Sequence, residues 1–153
     1  MSDRFSLGRF ERAQENGGMY ERALAELRAG RKRGHWIWFV FPQLSGLGYS
    51  TMSRTYAISS LAEASAYLEH PVLGPRLVEC ARVLTELRGR SIEDVLGAVD
   101  AVKLRSSMTL FARVAGEEEV FVRVLVEHFD GRADVATVRL LEVDESKADA
   151  ARD

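Results

Sequence analysis

Leu73-Gly74-Pro75-Arg76-Leu77-Val78-Glu79-Cys80-Ala81-Arg82-Val83-Leu84-Thr85-Glu86-Leu87 decides the fold class. Leu73, Leu77, Cys80, Ala81, Leu84 and Leu87 recur at three- and four-residue steps, so they fall on one face of an α-helix. Pro71 or Pro75 opens that helix, because proline suits a first-turn position, and Gly89 stops it. Cys80 lies on the apolar stripe and reads as an inert core thiol.

Helical signals continue on both sides. Upstream, Ser60-Leu61-Ala62-Glu63 has the spacing of a capping box and predicts a helix over 61–69. Leu7, Phe10 and Ala13 mark a short helix that ends before Asn16-Gly17-Gly18. Tyr20, Leu24 and Leu27 give the stripe of another, which Gly30 ends while Arg28, Arg31, Lys32 and Arg33 crowd its negative pole. Downstream, Ser91 caps a short helix through Gly97, and a helix starting near Asp100 carries Val102, Leu104, Met108, Leu110 and Phe111 toward Val114. Glu117 to Phe129 reads as helical, although its β-branched content also suits a strand. Asp134 caps a last helix through Leu141. The expected fold is mainly α, a compact single-domain bundle of about seven helices over 5–142 with a buried aromatic segment. Residues 143–153 are charged and alanine-rich with no apolar stripe, and are expected to form a disordered tail.

Composition narrows the classes of function. At 153 residues, 46% hydrophobic and 29% charged, the chain can bury its own core. A net charge of -2 offers no general attraction to phosphate backbones or anionic lipid and argues against a nucleic-acid coat. One cysteine cannot form an intramolecular disulfide or a cysteine-based zinc site, and a reducing, cytoplasmic location is expected. Met1 to Phe10 lacks the continuous apolar stretch of a signal peptide. The longest apolar run, Trp36 to Pro42, is far short of the about 20 residues that cross a bilayer, so no membrane span is expected. His35, His70 and His128 are widely separated and belong to no ligand motif, and neither a phosphate-loop pattern nor a nucleophile elbow is present. No metal or cofactor is expected.

Two segments carry more chemistry than packing requires. In His35-Trp36-Ile37-Trp38-Phe39-Val40-Phe41-Pro42-Gln43, periodicity cannot choose between a buried strand and a buried helical turn. A glycine loop, Ser45 to Ser50, follows it. Flat aromatic faces beside a polar loop suit a stacked ring ligand, with Trp36 and Trp38 as walls and Gln43, Ser50 and Tyr56 as polar lining. The same run is equally the composition of a buried core segment. On the helix after Asp100, Lys103 and Ser107 lie four apart and Asp100 precedes Lys103 by three, so carboxylate, ammonium and hydroxyl share one face. Lys103 and Ser107, with Thr109 nearby, suit an anion, while the plain alternative is an ion pair with serines bonding back to the helix. The basic run before Trp36 also suits nucleic acid, but only weakly, since acids elsewhere compensate it.

Taken together, Phe10, Ala13-Gln14, Tyr20, Ala23-Leu24, Glu26-Leu27, His35-Trp36, Trp38-Phe39, Phe41-Pro42-Gln43, Gly46-Leu47-Gly48, Tyr56, Tyr67-Leu68, His70-Pro71, Asp100, Lys103-Leu104 and Ser106-Ser107-Met108-Thr109-Leu110-Phe111 resemble the bacterial domain-of-unknown-function family 1810, often mislabelled calpastatin. The likeness runs from about Phe5 to Leu141 and implies a compact helical fold with no established activity. A calpastatin label does not fit, because a folded globular pattern is unlike a disordered protease inhibitor. The order of aromatic segment, alanine-rich helix and Lys-x-x-x-x-Met-x-x-Phe helix is also faintly similar to helical domains that cleave ADP-ribose or riboside N-glycosidic bonds.

The functional expectation is a pocket for a small anionic ring-bearing ligand, nucleotide or ADP-ribose-like. If the chain also hydrolyses an N-glycosidic bond, His35 and Glu63 are the candidate acid and base. The alternative is a non-catalytic module that docks on a protein or RNA.

Overall fold

The computed structural model describes residues 3–152, with side chains through Val143. The chain runs through α1 (Gly8–Glu15), α2 (Met19–Ala29), α3 (Ile37–Val40), α4 (Thr51–Thr55), α5 (Leu61–Glu69), α6 (Leu73–Glu86), α7 (Ile92–Leu96), α8 (Ala98–Ala112), α9 (Val120–Phe129) and α10 (Val135–Arg152). Among the described residues no strand forms. One isolated parallel bridge joins Leu44 to Ile58. The fold is mainly helical, and the short segments α3, which periodicity left open, and α4 raise the number of helices above the about seven expected, while α7 forms where Ser91 was expected to cap a short helix.

The caps account for most boundaries. Ser60 Oγ accepts the Glu63 amide at 3.2 Å and opens α5, Ser91 does the same for α7, and Asp134 Oδ2 accepts the Thr137 amide at 2.9 Å to open α10. Gly30 ends α2 at φ 74, a left-handed conformation that glycine adopts without penalty. At the start of α6 the cap is not a proline but His70, whose Nδ1 accepts the amides of Val72 and Leu73 at 3.1 and 3.2 Å. Pro75 is the third residue of that helix, within the first turn where proline was expected. Gly74 lets α5 and α6 meet closely, since a Cβ there would lie 2.0 Å from the Leu68 carbonyl oxygen.

α9 is a helix rather than a strand, its apolar side packed on α6 and α8. α8 is the central element and touches α3, α5, α7, α9 and α10. From Leu104 to Phe111 only Arg105 is not buried, so its serines and threonine lie inside the bundle along with its aliphatic residues. Over this enclosed second half α8 shows no polar face, whereas Val99 and Val102 in its first turns are exposed. The last helix was expected to end at Leu141, and its backbone continues to Arg152. Side chains beyond Val143 and all of Asp153 lie outside the described residues, so the disordered tail over 143–153 stays an expectation.

Candidate functional site

The aromatic run resolves as Trp36 leading into the single helical turn of α3. Trp36 is wholly buried, and its indole N–H donates to Glu26 Oε1 at 3.0 Å. The same oxygen accepts the amides of Arg33 and Gly34 at 2.6 and 2.8 Å. Burial would raise the Glu26 pKa, but the Gly34 and Arg33 amides, the Trp36 indole and Lys32 outweigh it and hold the carboxyl below its usual value. Glu26 thus fixes the entry to the aromatic turn, an anchor that no local sequence pattern announces.

Lys32 and Lys103 each cover one tryptophan. The Lys32 ammonium lies 5.0 Å from the centre of the Trp36 ring, and that of Lys103 lies 4.9 Å from the centre of the Trp38 ring. Lys32 donates to the Gly34 carbonyl and binds Asp100 Oδ2 at 2.8 Å, with its side chain 8% exposed. It is therefore no part of a free basic helix end, as the run Arg28 to Arg33 had suggested. Lys103 is 3.8 Å from Asp100 Oδ1 and 22% exposed. Asp100 on α8 thus joins both lysines, one tightly and one loosely. The tryptophan-rich stretch and the Lys103 helix are brought against one another.

Two buried polar atoms in this region have no hydrogen-bond partner, Trp38 Nε1 and Ser107 Oγ. The neighbouring hydroxyls behave differently. Ser106 donates to the Val102 carbonyl at 3.2 Å and Thr109 to the Arg105 carbonyl at 2.8 Å, the back-bonding usual on helices. Ser107 lies four residues after Lys103, on the same face of α8.

The other candidates sit elsewhere or are already engaged. Thr109 Oγ1 also accepts the Asp134 amide at 2.8 Å, tying α8 to the start of α10. Ser50 caps α4, accepting the Ser53 amide at 3.1 Å. The Gln43 carbonyl accepts the Ile58 amide at 2.8 Å in the isolated bridge. Glu63 is buried, with Oε2 2.9 Å from the Arg9 guanidinium and Oε1 accepting the Ser59 amide and hydroxyl at 2.9 and 2.8 Å. His35 is exposed, and its imidazole has no partner among the described residues. Cys80 is buried with its thiol pKa pushed up to about 12 by desolvation, which leaves it unreactive.

Tyr56 packs against Phe10 and Phe39, with ring centres 5.8 and 5.3 Å away. It lines an open cleft of 740 Å³ with Arg9, Arg12, Ala13, Glu15 and Asn16. Two other clefts, of 410 and 210 Å³, lie beside Arg88 to Arg90 with Glu127 and His128, and beside Arg82 with Glu117 to Val120. None of the three is lined by Trp38, Lys103 or Ser107. Among the described residues no three His, Cys, Asp or Glu side chains gather as a metal site, and no helix is long and apolar enough to cross a membrane.

The chain is similar to a solved structure titled as the conserved hypothetical protein Rv1873 from Mycobacterium tuberculosis. The two are 53% identical with a TM-score of 0.89, over 92% of this chain and 99% of that one. Among curated proteins none matches. The model of the family described as "Protein of unknown function (DUF1810)" matches residues 4–141, the whole span of the resemblance carried by the sequence. The chain belongs to the DUF1810 family.

Proposed function

We propose that this protein binds a small anionic ring-bearing ligand, of the nucleotide or ADP-ribose class, at the seam between α3 and α8. Lys103 holds the anion and Trp38 supplies the aromatic surface. The observation that carries this reading is the pair of buried, unpartnered polar atoms, Trp38 Nε1 in the ring under Lys103 and Ser107 Oγ one turn further along α8. A buried polar group without a partner costs about 1–3 kcal/mol, so such groups in a folded protein call for an explanation. The indole and the ammonium only donate hydrogen bonds and the hydroxyl can donate one, so each suits an acceptor-rich group. Lys103 is reached from solvent, and turning it from the Trp38 ring toward an anion exchanges a cation–π contact for a charge-assisted hydrogen bond.

Binding is favoured over hydrolysis. The Glu63 carboxylate is held by Arg9 and Ser59, and nothing orients His35 as an acid or base. A thermal-shift screen with AMP, ADP and ADP-ribose tests the proposal. Ligand that binds only the native state raises the melting temperature, and the rise should vanish in Lys103→Ala. An unchanged melting temperature with all three ligands would remove the reading and leave the docking module as the alternative.

A further inference from the structure

We propose that His70 is an acid-sensitive latch between α5 and α6: the neutral ring caps α6, and the protonated ring releases that helix and turns to Glu11. Contacts on both nitrogens place the ring. Nδ1 accepts the amides of Val72 and Leu73 at 3.1 and 3.2 Å, and Nε2 lies 2.8 Å from Glu11 Oε1. A ring nitrogen that accepts two N–H bonds carries no proton, so the proton of the neutral ring sits on Nε2 and donates to Glu11. The main chain of the same residue closes the junction. Its N–H donates to the Tyr67 carbonyl of α5 at 3.2 Å, and its carbonyl accepts the Gly74 amide of α6 at 3.1 Å. His70 is thus bonded to both helices and to α1, and of these bonds only the two at Nδ1 are incompatible with protonation.

A proton on Nδ1 faces two N–H groups. It leaves both without an acceptor and sets a positive ring against the positive end of the α6 dipole. The charged groups around the ring decide where it goes. On α1, Glu11 carries the opposite charge, is 34% exposed and can follow the ring as it turns. Ahead of α1, the Gly8 and Leu7 amides, and after them the His70 and Arg12 charges, hold the Asp3 carboxyl below its usual value. On α5, Glu69 is exposed, and on α6, Arg76 is turned to Gln14 and Glu15. The cationic ring is therefore repelled from α6 and drawn toward α1. Because the cap is a bond to the unprotonated ring, its contribution is full above the titration of that ring and is lost as pH falls through it.

The test is an NMR pH titration of the full chain. At neutral pH, long-range nitrogen–proton spectra should show His70 as the Nε2–H tautomer. On acidification the Val72 and Leu73 amide signals should move with the same midpoint as the His70 ring. Their hydrogen-exchange protection, corrected for the intrinsic rate at each pH, should fall about fivefold, as expected for loss of a cap, while the Leu84 amide further along α6 stays protected. In Glu11→Gln the midpoint should move to lower pH, because the protonated ring loses its charged partner. In His70→Asn, which keeps an acceptor and does not titrate, the two amide signals should hold still over the same range. An Nδ1–H tautomer at neutral pH, amide signals that stay in place while the ring titrates, or a ring that stays neutral until the chain unfolds would each overturn the latch. Movement of the same signals in His70→Asn would assign the transition to another group and overturn it too, and a midpoint indifferent to Glu11→Gln would overturn the part given to Glu11.

Discussion

Around Arg9 the polar groups are matched, and around Lys103 they are not. The Arg9 guanidinium donates to the carbonyls of Phe5, Ser6, Thr55 and Ala57 and to Glu63, and lies 4.3 Å from the centre of the Phe10 ring. Both Glu63 oxygens are occupied in turn. One arginine thereby ties α1, the loop after α4 and the start of α5 into a closed network, whose work is to hold the fold. On the other side of the comparison, Lys103 has a loose carboxylate and an aromatic face, and two buried polar atoms in the ring below it and on the next turn bond to nothing. Polar groups that appear alike in sequence thus divide by whether their bonds are complete. The incomplete set is where a ligand gains the most.

Substitution on the two sides should therefore give opposite results. The largest effect is expected for Glu63→Ala, which removes the carboxylate partner of Arg9 and the acceptor of the Ser59 amide and hydroxyl and should lower unfolding free energy by about 3–5 kcal/mol in urea denaturation. A loss below about 1 kcal/mol would place the Arg9 network among ordinary surface pairs. Glu26→Gln removes a charged acceptor of three N–H groups and should cost about 1–2 kcal/mol at neutral pH. Because the folded Glu26 pKa is depressed, its contribution is full above the unfolded carboxylate value of about 4.3 and fades as pH falls through the folded value. Stability curves of wild type and Glu26→Gln should accordingly converge in acid, and parallel curves down to the acid limb would contradict the linkage. His70→Ala removes the acceptor at the start of α6 and should cost about 1 kcal/mol, with His70→Asn recovering most of it. The smallest effect is expected for Ser107→Ala, within about 0.5 kcal/mol of wild type or slightly stabilising, because a buried hydroxyl with no partner is removed. A loss of several kcal/mol on Ser107→Ala would mean that this hydroxyl belongs to a completed network after all.

The helices were legible where contrast between faces was strong. The Ser60 cap and the stripe from Leu73 give the observed starts of α5 and α6, although the Glu63 carboxylate bonds Ser59 and Arg9 and not the Ser60 amide, and Gly30 ends α2 at the residue expected. Contrast is absent in the aromatic run, where every residue from Trp36 to Phe41 is apolar, so its helical turn was decided by tertiary packing. α4 has five residues and no buried one, so its cap at Ser50 looked like loop chemistry. The approach of Trp38 to Lys103, 65 positions apart in sequence, was an expectation that the fold meets at 4.9 Å. The anchoring roles of Arg9, Glu26 and Lys32 leave no local signal for a common reason. Each finds partners across the fold, Arg9 with Glu63 at a separation of 54 residues, and an isolated charge in a sequence is indistinguishable from a solvated one.

With two tryptophans in the chain, the nitrogen–proton NMR spectrum should hold two indole signals, one from each side of the decisive contrast. The Trp36 N–H is bonded to Glu26, whereas that of Trp38 is buried without a partner. Titration with AMP should move the Trp38 indole signal progressively to saturation and leave the Trp36 signal in place. A spectrum in which neither indole responds at millimolar AMP, or in which only the Trp36 signal does, would contradict the account.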